Sequence, residues 1–315
     1  MKPIEEIKIC FSIPASPNHE FYSQIAMFRL ALDSLGGIYE NADLIISLGH
    51  EGKINSKLPR RWKSYLSKNV IFHWVSPEEF KEKSYMAQVD HRWKIDYSEY
   101  DIVVLCDADV IILKPIDDLL FLTLKSPAIT GAIAHTNFRP RKNSDPQGTW
   151  NELATKLLGR TLRFDYRYSL AVNKEPEYTF CPFYLNFGFV LFTPDLLDSI
   201  KDTFLEFRPK VASMIVNPYF SAQVTLPLAA EYCQIPTRAV GLRYNFPNDE
   251  FADEFQKNEL SDVRIIHYLR SHHFDRQKMF TTKKFFKQFL SLDLDGCDKF
   301  FQEFIIDLTN GQYPF

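Results

Sequence analysis

Two aspartates interrupt an otherwise apolar stretch at residues 100–120, YDIVVLCDADVIILKPIDDLL. Asp107 and Asp109 stand between the apolar runs 102–106 and 110–113. A carboxylate inside a buried strand is costly unless it is paired or binds a cation. Carboxylate oxygens are the ligands that hard divalent cations such as Mg²⁺ and Mn²⁺ prefer. The pair therefore predicts a metal site, and the competing interpretation is that both acids lie in a solvated turn.

The first third of the chain alternates strand and helix signals. Short apolar runs at 7–13, 42–49, 69–76 and 101–109 are typical of buried strands, and residues 21–35 have apolar side chains at helical spacing before Gly36-Gly37. Strands separated by helices predict parallel βαβ units. Ligands of such sheets bind at the carboxyl ends of the strands, which is where the two aspartates are expected.

The second half is less regular. It predicts strands over 128–135 and 262–269, a strand and then a helix over 183–200, and a helix over 221–233. Two amphipathic helices close the sequence at 282–292 and 298–308. We expect this half to continue the same sheet, which gives an α/β fold.

Composition excludes several classes of protein. The net charge of −3 gives no signal for a nucleic-acid partner. No apolar run approaches the roughly 18 residues of a membrane-spanning helix. The first apolar run, preceded by acids, predicts a strand and not a signal peptide. The five scattered cysteines lack a Cys-x-x-Cys motif, which favours reduced thiols in a cytoplasmic protein.

The segment VVLCDADVIILKPIDDLL resembles the metal-binding segment of GT-A glycosyltransferases, especially the glycogenin-like family 8 group. Four later segments resemble that family in the same order along the chain: YLNFGFVLFTPDLL, AQVTLPLA, LRYNFP and VRIIHYL. The resemblance spans about residues 7–270. It implies a Rossmann-like GT-A fold, with a mixed, mostly parallel central sheet flanked by helices.

The resemblance also implies an activity. The implied activity is that of a metal-dependent, hexosyltransferase-like enzyme. Such an enzyme moves a sugar from a nucleotide-diphosphate sugar, expected to be a UDP-sugar, to an acceptor hydroxyl. The resemblance further implies retention of configuration. The acceptor is open: a glycan, a lipid-linked glycan, a protein or a small molecule. Residues 1–120 would form the donor-binding half, 121–280 the acceptor-side half, and 281–315 the C-terminal helices of one continuous domain.

Site residues follow from the matching positions. Asp107, Asp109 and His267 would hold Mn²⁺ or Mg²⁺, and Gln223 and Arg92 would act in catalysis. The expected donor-binding residues are Ile13, Pro14, Ala15, Asp107, Ala108, Asn186, Gly188, Arg270, His272 and His273. Several of them have a plainer alternative: a structural histidine for His267, helix surface positions for Arg92 and Gln223, and a strand kink at Asn186 and Gly188.

The chain departs from the family at two places. Ala222 stands where the family has an aspartate before its glutamine. After the metal-binding histidine the family has Gly and then Lys-Pro-Trp, whereas this chain reads HYLRSHHFDRQKMF. Arg270, His272, His273 and Arg276 would supply the cations to the diphosphate there, unless they form a basic surface turn. The chain is accordingly identified as a divergent member.

Two further segments carry expectations. The loop with Arg139, Arg141 and Lys142 would close over the donor, or form a surface excursion. The helix KKFFKQFL would contact an anionic membrane surface peripherally, or pack in the core with its lysines exposed.

Two other kinds of protein share features of this sequence. Phosphohydrolases of the haloacid dehalogenase type also carry Asp-x-Asp after a strand. In those proteins the motif opens the chain, and a small hydroxyl residue follows two positions after it. Here about 100 residues precede the motif, and the residue two positions after it, at 111, is Ile. A non-catalytic nucleotide-sugar-binding protein of the same fold would account for Ala222 and the altered ending.

Overall fold

A computed structural model describes residues 3–52, 54, 57–138, 146–171 and 179–315. A seven-stranded sheet lies at its centre, in the order β10-β6-β9-β4-β1-β2-β3. A second sheet has the order β11-β12-β5, and β7 and β8 form a hairpin-like pair. The strands are β1 (Ile9–Ala15), β2 (Asp43–Leu48), β3 (Val70–Trp74), β4 (Ile102–Cys106), β5 (Val110–Ile112), β6 (Ile129–Ile133), β7 (Tyr166–Arg167), β8 (Phe180–Cys181), β9 (Leu185–Phe192), β10 (Thr237–Val240), β11 (Phe246–Pro247) and β12 (Ile265–His267).

The central sheet is mostly parallel, as the sequence predicts. β1 pairs in parallel with β2 and β4, β2 with β3, and β6 with β10. β9 alone runs against its neighbours β4 and β6. The sheet takes strands from both predicted halves of the chain. Its inner strands β1, β4, β6 and β9 are buried on both faces, whereas the edge strands β3 and β10 are partly exposed. Burial on both faces is the reason that β4 is a continuous apolar run.

Helices flank this sheet and begin and end at recognisable signals. Asn18 caps α1 by accepting from the amide of Phe21 at 2.9 Å, and Gly36, at φ 67°, follows its end as predicted. The helices are α1 (His19–Leu35), α2 (Gly37–Glu40), α3 (Arg60–Lys63), α4 (Pro77–Lys83), α5 (Met86–His91), α6 (Asp117–Lys125), α7 (Pro146–Leu158), α8 (Pro194–Met214), α9 (Ser221–Tyr232), α10 (Glu250–Phe255), α11 (Lys257–Ser261), α12 (Lys283–Leu290) and α13 (Gly296–Thr309).

The second sheet corrects one expectation. Segment 262–269 does not extend the central sheet, because its strand β12 lies between β5 and β11 in the smaller one. A turn at Ala108 and Asp109 ends the run of β4 and redirects the chain into β5. The apolar residues on either side of the two aspartates therefore belong to different sheets.

The C-terminal helices pack around an aromatic core. Phe286 and Phe289 of α12 are buried beside Phe280 and beside Phe301 of α13, whereas the lysines of α12 are exposed. The apolar face of α12 is thus used inside the protein. Of the described helices, none is both long enough and apolar enough to cross a membrane.

Candidate functional site

The two sheets bring Asp107, Asp109 and His267 together. The amide of Asp107 donates to the carbonyl of Gly188 at 3.1 Å, which fixes the end of β4 on β9. Antiparallel pairing of His267 with Val110 then places the imidazole beside the turn. The ligand atoms of the three side chains lie within 4.8 Å of one another.

This group fits a divalent cation. His267 Nε2 is 3.3 Å from Asp109 Oδ1 and 3.8 Å from Asp107 Oδ2. Oxygen and nitrogen ligands of one octahedral ion are about 3 to 4 Å apart, so small side-chain movements would complete the site. Burial lowers the pKa of His267 to about 4, an effect that Asp107 opposes and Arg270 reinforces. The imidazole is therefore neutral near pH 7, which is the form that binds metals.

Gly188 makes room for His267. A Cβ at this position would lie 2.3 Å from both Cε1 and Nδ1 of the imidazole. The sequence predicts Gly188 as a donor-binding residue. In the structure, the absence of a side chain at this position allows the imidazole of His267 to pack closely against the strand. A contact with a sugar stays a prediction.

Asn186 is held by its neighbours and does not project freely into the site. Its Oδ1 accepts from the amide of Gly188 at 2.8 Å and from Asn245 Nδ2 at 3.1 Å. Its Nδ2 lies 2.9 Å from His135 Nε2. His135 is buried, and burial lowers its pKa to about 3. The sequence did not predict His135 and Asn245 as site residues, although His135 ends the predicted strand 128–135 and Asn245 lies within the segment LRYNFP.

Arg92 links strands β1 and β4. The residue is 1% exposed. Its guanidinium donates to the carbonyls of Ser12 and Cys106, both at 3.3 Å. It also lies 5.9 Å from the centroid of the Phe187 ring. The alternative of a solvated helix surface is therefore wrong for Arg92.

A cleft opens beside Asp107. It has an empty volume of about 420 Å³, part of which is open to solvent. Tyr85 and Tyr219 stack at its mouth, with ring centroids 6.4 Å apart. The negative charge of Asp107 raises the pKa of Tyr219 to about 12. The lining residues are Tyr85, Met86, Val89, Arg92, Asp107, Phe187, Tyr219, Phe220, Ala222 and Gln223.

The basic segment after His267 separates into different roles. The guanidinium of Arg276 forms an ion pair with Asp109. Arg270 Nε instead lies 3.1 Å from Asp249 Oδ2, and His273 Nδ1 lies 2.8 Å from Asp298 Oδ2. The side chain of His272 is exposed. Of the four predicted cations, Arg276 is the one that the structure places on a candidate metal ligand.

Comparison with known proteins agrees with this architecture. The chain matches no known family model and no curated protein. Among solved structures, an active-site mutant of LgtC is 14% identical, with a TM-score of 0.51, over 84% of this chain and 88% of that one. The galactosyltransferase LgtC with donor and acceptor sugar analogues is also 14% identical, with a TM-score of 0.50, over 94% and 100%.

The chain has the GT-A fold. The identity of 14% shows the fold alone, so membership of the glycogenin-like group stays a prediction. In this GT-A chain, Asp107, Asp109, His267, Arg92 and Gln223 meet at the carboxyl edge of the central sheet.

The donor-binding residues that the sequence predicts in the first strand lie at its carboxyl end. Ile13, Pro14 and Ala15 are buried in β1. The carbonyl of Ala15 accepts from Gln88 Nε2 at 2.6 Å, and that of Pro14 faces the Tyr85 hydroxyl at 3.5 Å. The carbonyl of Ala108, in the turn between the two aspartates, accepts from the Tyr268 hydroxyl at 3.3 Å. Much of this backbone is thus already hydrogen-bonded within the protein.

The predicted closing loop, with Arg139, Arg141 and Lys142, lies outside the described residues.

Proposed function

We propose that this chain is a metal-dependent glycosyltransferase with a nucleotide-diphosphate sugar, expected to be a UDP-sugar, as donor. One observation carries the proposal: two carboxylates and a neutral imidazole converge beside a cleft that contains Arg92 and Gln223. This place is the carboxyl edge of a mostly parallel sheet, where α/β proteins bind ligands.

The cation would be held by Asp107, Asp109 and His267, with Mn²⁺ or Mg²⁺ as candidates. When bound, such an ion neutralises the charge that develops on a leaving diphosphate. Arg276 lies at the same carboxylate and would contribute a charge-assisted hydrogen bond to a phosphate oxygen. Together they would stabilise the departing nucleotide.

Gln223 is the candidate residue on the reacting side of the sugar. It lies in the first turn of α9 and lines the cleft with Asp107. Asp107 is the one carboxylate among the described lining residues, and we assign it to the metal. This lining supports direct attack by the acceptor hydroxyl, whose proton passes to the leaving diphosphate, with retention and without a covalent sugar–carboxylate intermediate.

The acceptor would enter past Tyr219. This residue is 62% exposed and stacks on Tyr85, so an aromatic surface faces solvent at the mouth of the cleft. Such surfaces bind apolar faces of ligands while a few polar groups orient them. We expect the attacking group to be a hydroxyl of a glycan, a lipid-linked glycan, a protein or a small molecule.

Nucleotide release from a panel of nucleotide sugars, with Mn²⁺ and with a chelator, tests the proposal. We expect release with at least one UDP-sugar that depends on Mn²⁺ and is lost in Asp109→Asn, which keeps the shape of the side chain. Asp262→Asn is the matched control, because Asp262 pairs with Arg243 and Arg264 beyond the other end of β12. Tight, Mn²⁺-dependent UDP binding with no release from any donor would indicate the non-catalytic alternative.

A further inference from the structure

Arg276 and the proposed metal ion use the same carboxylate. Asp109 Oδ2 pairs with the guanidinium of Arg276, while Oδ1 faces His267 Nε2 at 3.3 Å. The side chains of Asp109 and His267 are 12% and 6% exposed, against 31% for Arg276. The arginine is therefore the more exposed partner of a carboxylate that is largely buried.

A cation at this site and the guanidinium oppose each other. A carboxylate has a limited number of lone pairs, and an arginine and a metal ion both draw on them. Two positive charges a few ångströms apart also repel, most strongly where water is scarce. Binding of a divalent ion to Asp109 would therefore weaken its pairing with Arg276.

Only the side chain of Arg276 has to move for the exchange. Its backbone carbonyl accepts from Gln24 Nε2 on α1 at 3.3 Å, and the carboxylate of Asp275 accepts from the amides of Gln277 and Lys278. The backbone is thus anchored on both sides of a long, flexible side chain. A diphosphate beside the metal would offer the guanidinium a new bidentate partner.

We propose that Arg276 competes with the metal ion for Asp109 and moves to the diphosphate of the donor, so that metal and nucleotide bind cooperatively. This inference rests on the proposed function, because it assumes the metal site and a diphosphate ligand. It assigns to Arg276 a coupling role that the sequence did not indicate.

Direct Mn²⁺ binding, read from the electron paramagnetic resonance signal of the free ion, tests the inference without any turnover. Without nucleotide, Arg276→Gln should bind Mn²⁺ about tenfold more tightly than the unaltered protein, because a hydrogen-bonded ion pair at Asp109 is lost. Added UDP should tighten Mn²⁺ binding in the unaltered protein and do so much less in Arg276→Gln, as reciprocal linkage requires. Arg276→Lys keeps the positive charge but loses the bidentate guanidinium. Its Mn²⁺ affinity should lie between those of the unaltered protein and Arg276→Gln.

Arg270→Gln is the matched control. It removes the same charge from the same segment, and Arg270 acts electrostatically on His267, but its guanidinium pairs with Asp249. Mn²⁺ binding that is no tighter in Arg276→Gln than in Arg270→Gln, or UDP coupling that is equal with and without Arg276, would overturn this inference alone. Absence of Mn²⁺ binding in every form would overturn the proposed metal site along with it.

Discussion

Replacing Gly188 by alanine tests the packing on which the proposed metal site depends. The added Cβ would lie 2.3 Å from Cε1 and Nδ1 of His267 and 2.9 Å from Asn186 Oδ1. Gly188 lies in β9 and is not among the described glycines with positive φ, so the backbone itself accepts an L-residue. The cost is therefore steric.

The size of the displacement predicts the size of the effect. Ordinary carbon contacts begin near 3.4 Å, so the imidazole must move by roughly 1 Å. Metal ligands tolerate deviations of about 0.2 Å, and disturbance of the groups that orient them costs about 10- to 100-fold in affinity. We expect Gly188→Ala to weaken Mn²⁺ binding at least tenfold and to lower the free energy of unfolding by about 1–3 kcal/mol.

Calorimetric Mn²⁺ titration and urea unfolding measure the two effects separately. Gly131→Ala is the matched control, because a Cβ there would lie 3.0 Å from Leu185 Cδ1 and 3.2 Å from the carbonyl of Phe189, away from the metal ligands. It should lower stability and leave Mn²⁺ affinity unchanged. Normal Mn²⁺ affinity in Gly188→Ala, or an equal loss in Gly131→Ala, would refute the reasoning.

Three further predictions follow from other contacts. Arg208→Met would leave the buried carboxylate of Asp90 without its main partner and lower the free energy of urea unfolding by about 3–5 kcal/mol; a loss below about 1 kcal/mol would contradict this. The hydrogen bond with Asp298 raises the pKa of His273, so its contribution to stability is full below about pH 6.5 and is lost as pH rises through the folded-state pKa. Unfolding measured against pH should lose this component in His273→Gln, and an unchanged profile would be evidence against it. Gln223→Ala should lower kcat about tenfold or more with unchanged Mn²⁺ affinity; an unchanged kcat would remove Gln223 from the mechanism.

The part of the fold that the sequence predicted correctly is the part set by local signals. Strands β1 to β4 are short apolar runs separated by helices, and right-handed parallel connections leave few ways to arrange them. That arrangement alone places Asp107 at the binding edge. The second sheet depends instead on the pairing of Val110 with His267, which lies far along the chain. No local pattern reports such a pairing, and the sequence pointed to His267 only by resemblance.

Contacts across strands were equally hidden from the sequence. The demand for glycine at position 188 follows from the place of the His267 ring, and so from the joint geometry of β9 and β12. The contacts of His135 and Asn245 with Asn186 also depend on the tertiary structure, because three segments distant in sequence meet at one edge of the central sheet. For His135 the available signal was a polar residue at the end of a predicted strand, and such a signal does not identify the partner of the side chain.

The basic segment shows how acidic partners elsewhere in the chain select one cation for the site. Arg270, His273 and Arg276 are all candidate cations by residue type, and all three follow β12 closely. Asp249, before α10, holds Arg270, and Asp298, on α13, holds His273. Asp298 also accepts from Asn248, whose Oδ1 in turn accepts from the amide of Arg270, so the start of the segment is fixed to the C-terminal helix. Arg276 is left to face Asp109. Asp249 and Asp298 therefore select which cation of the segment lies at the candidate metal ligands, and through Asp298 the C-terminal helix α13 takes part in that selection.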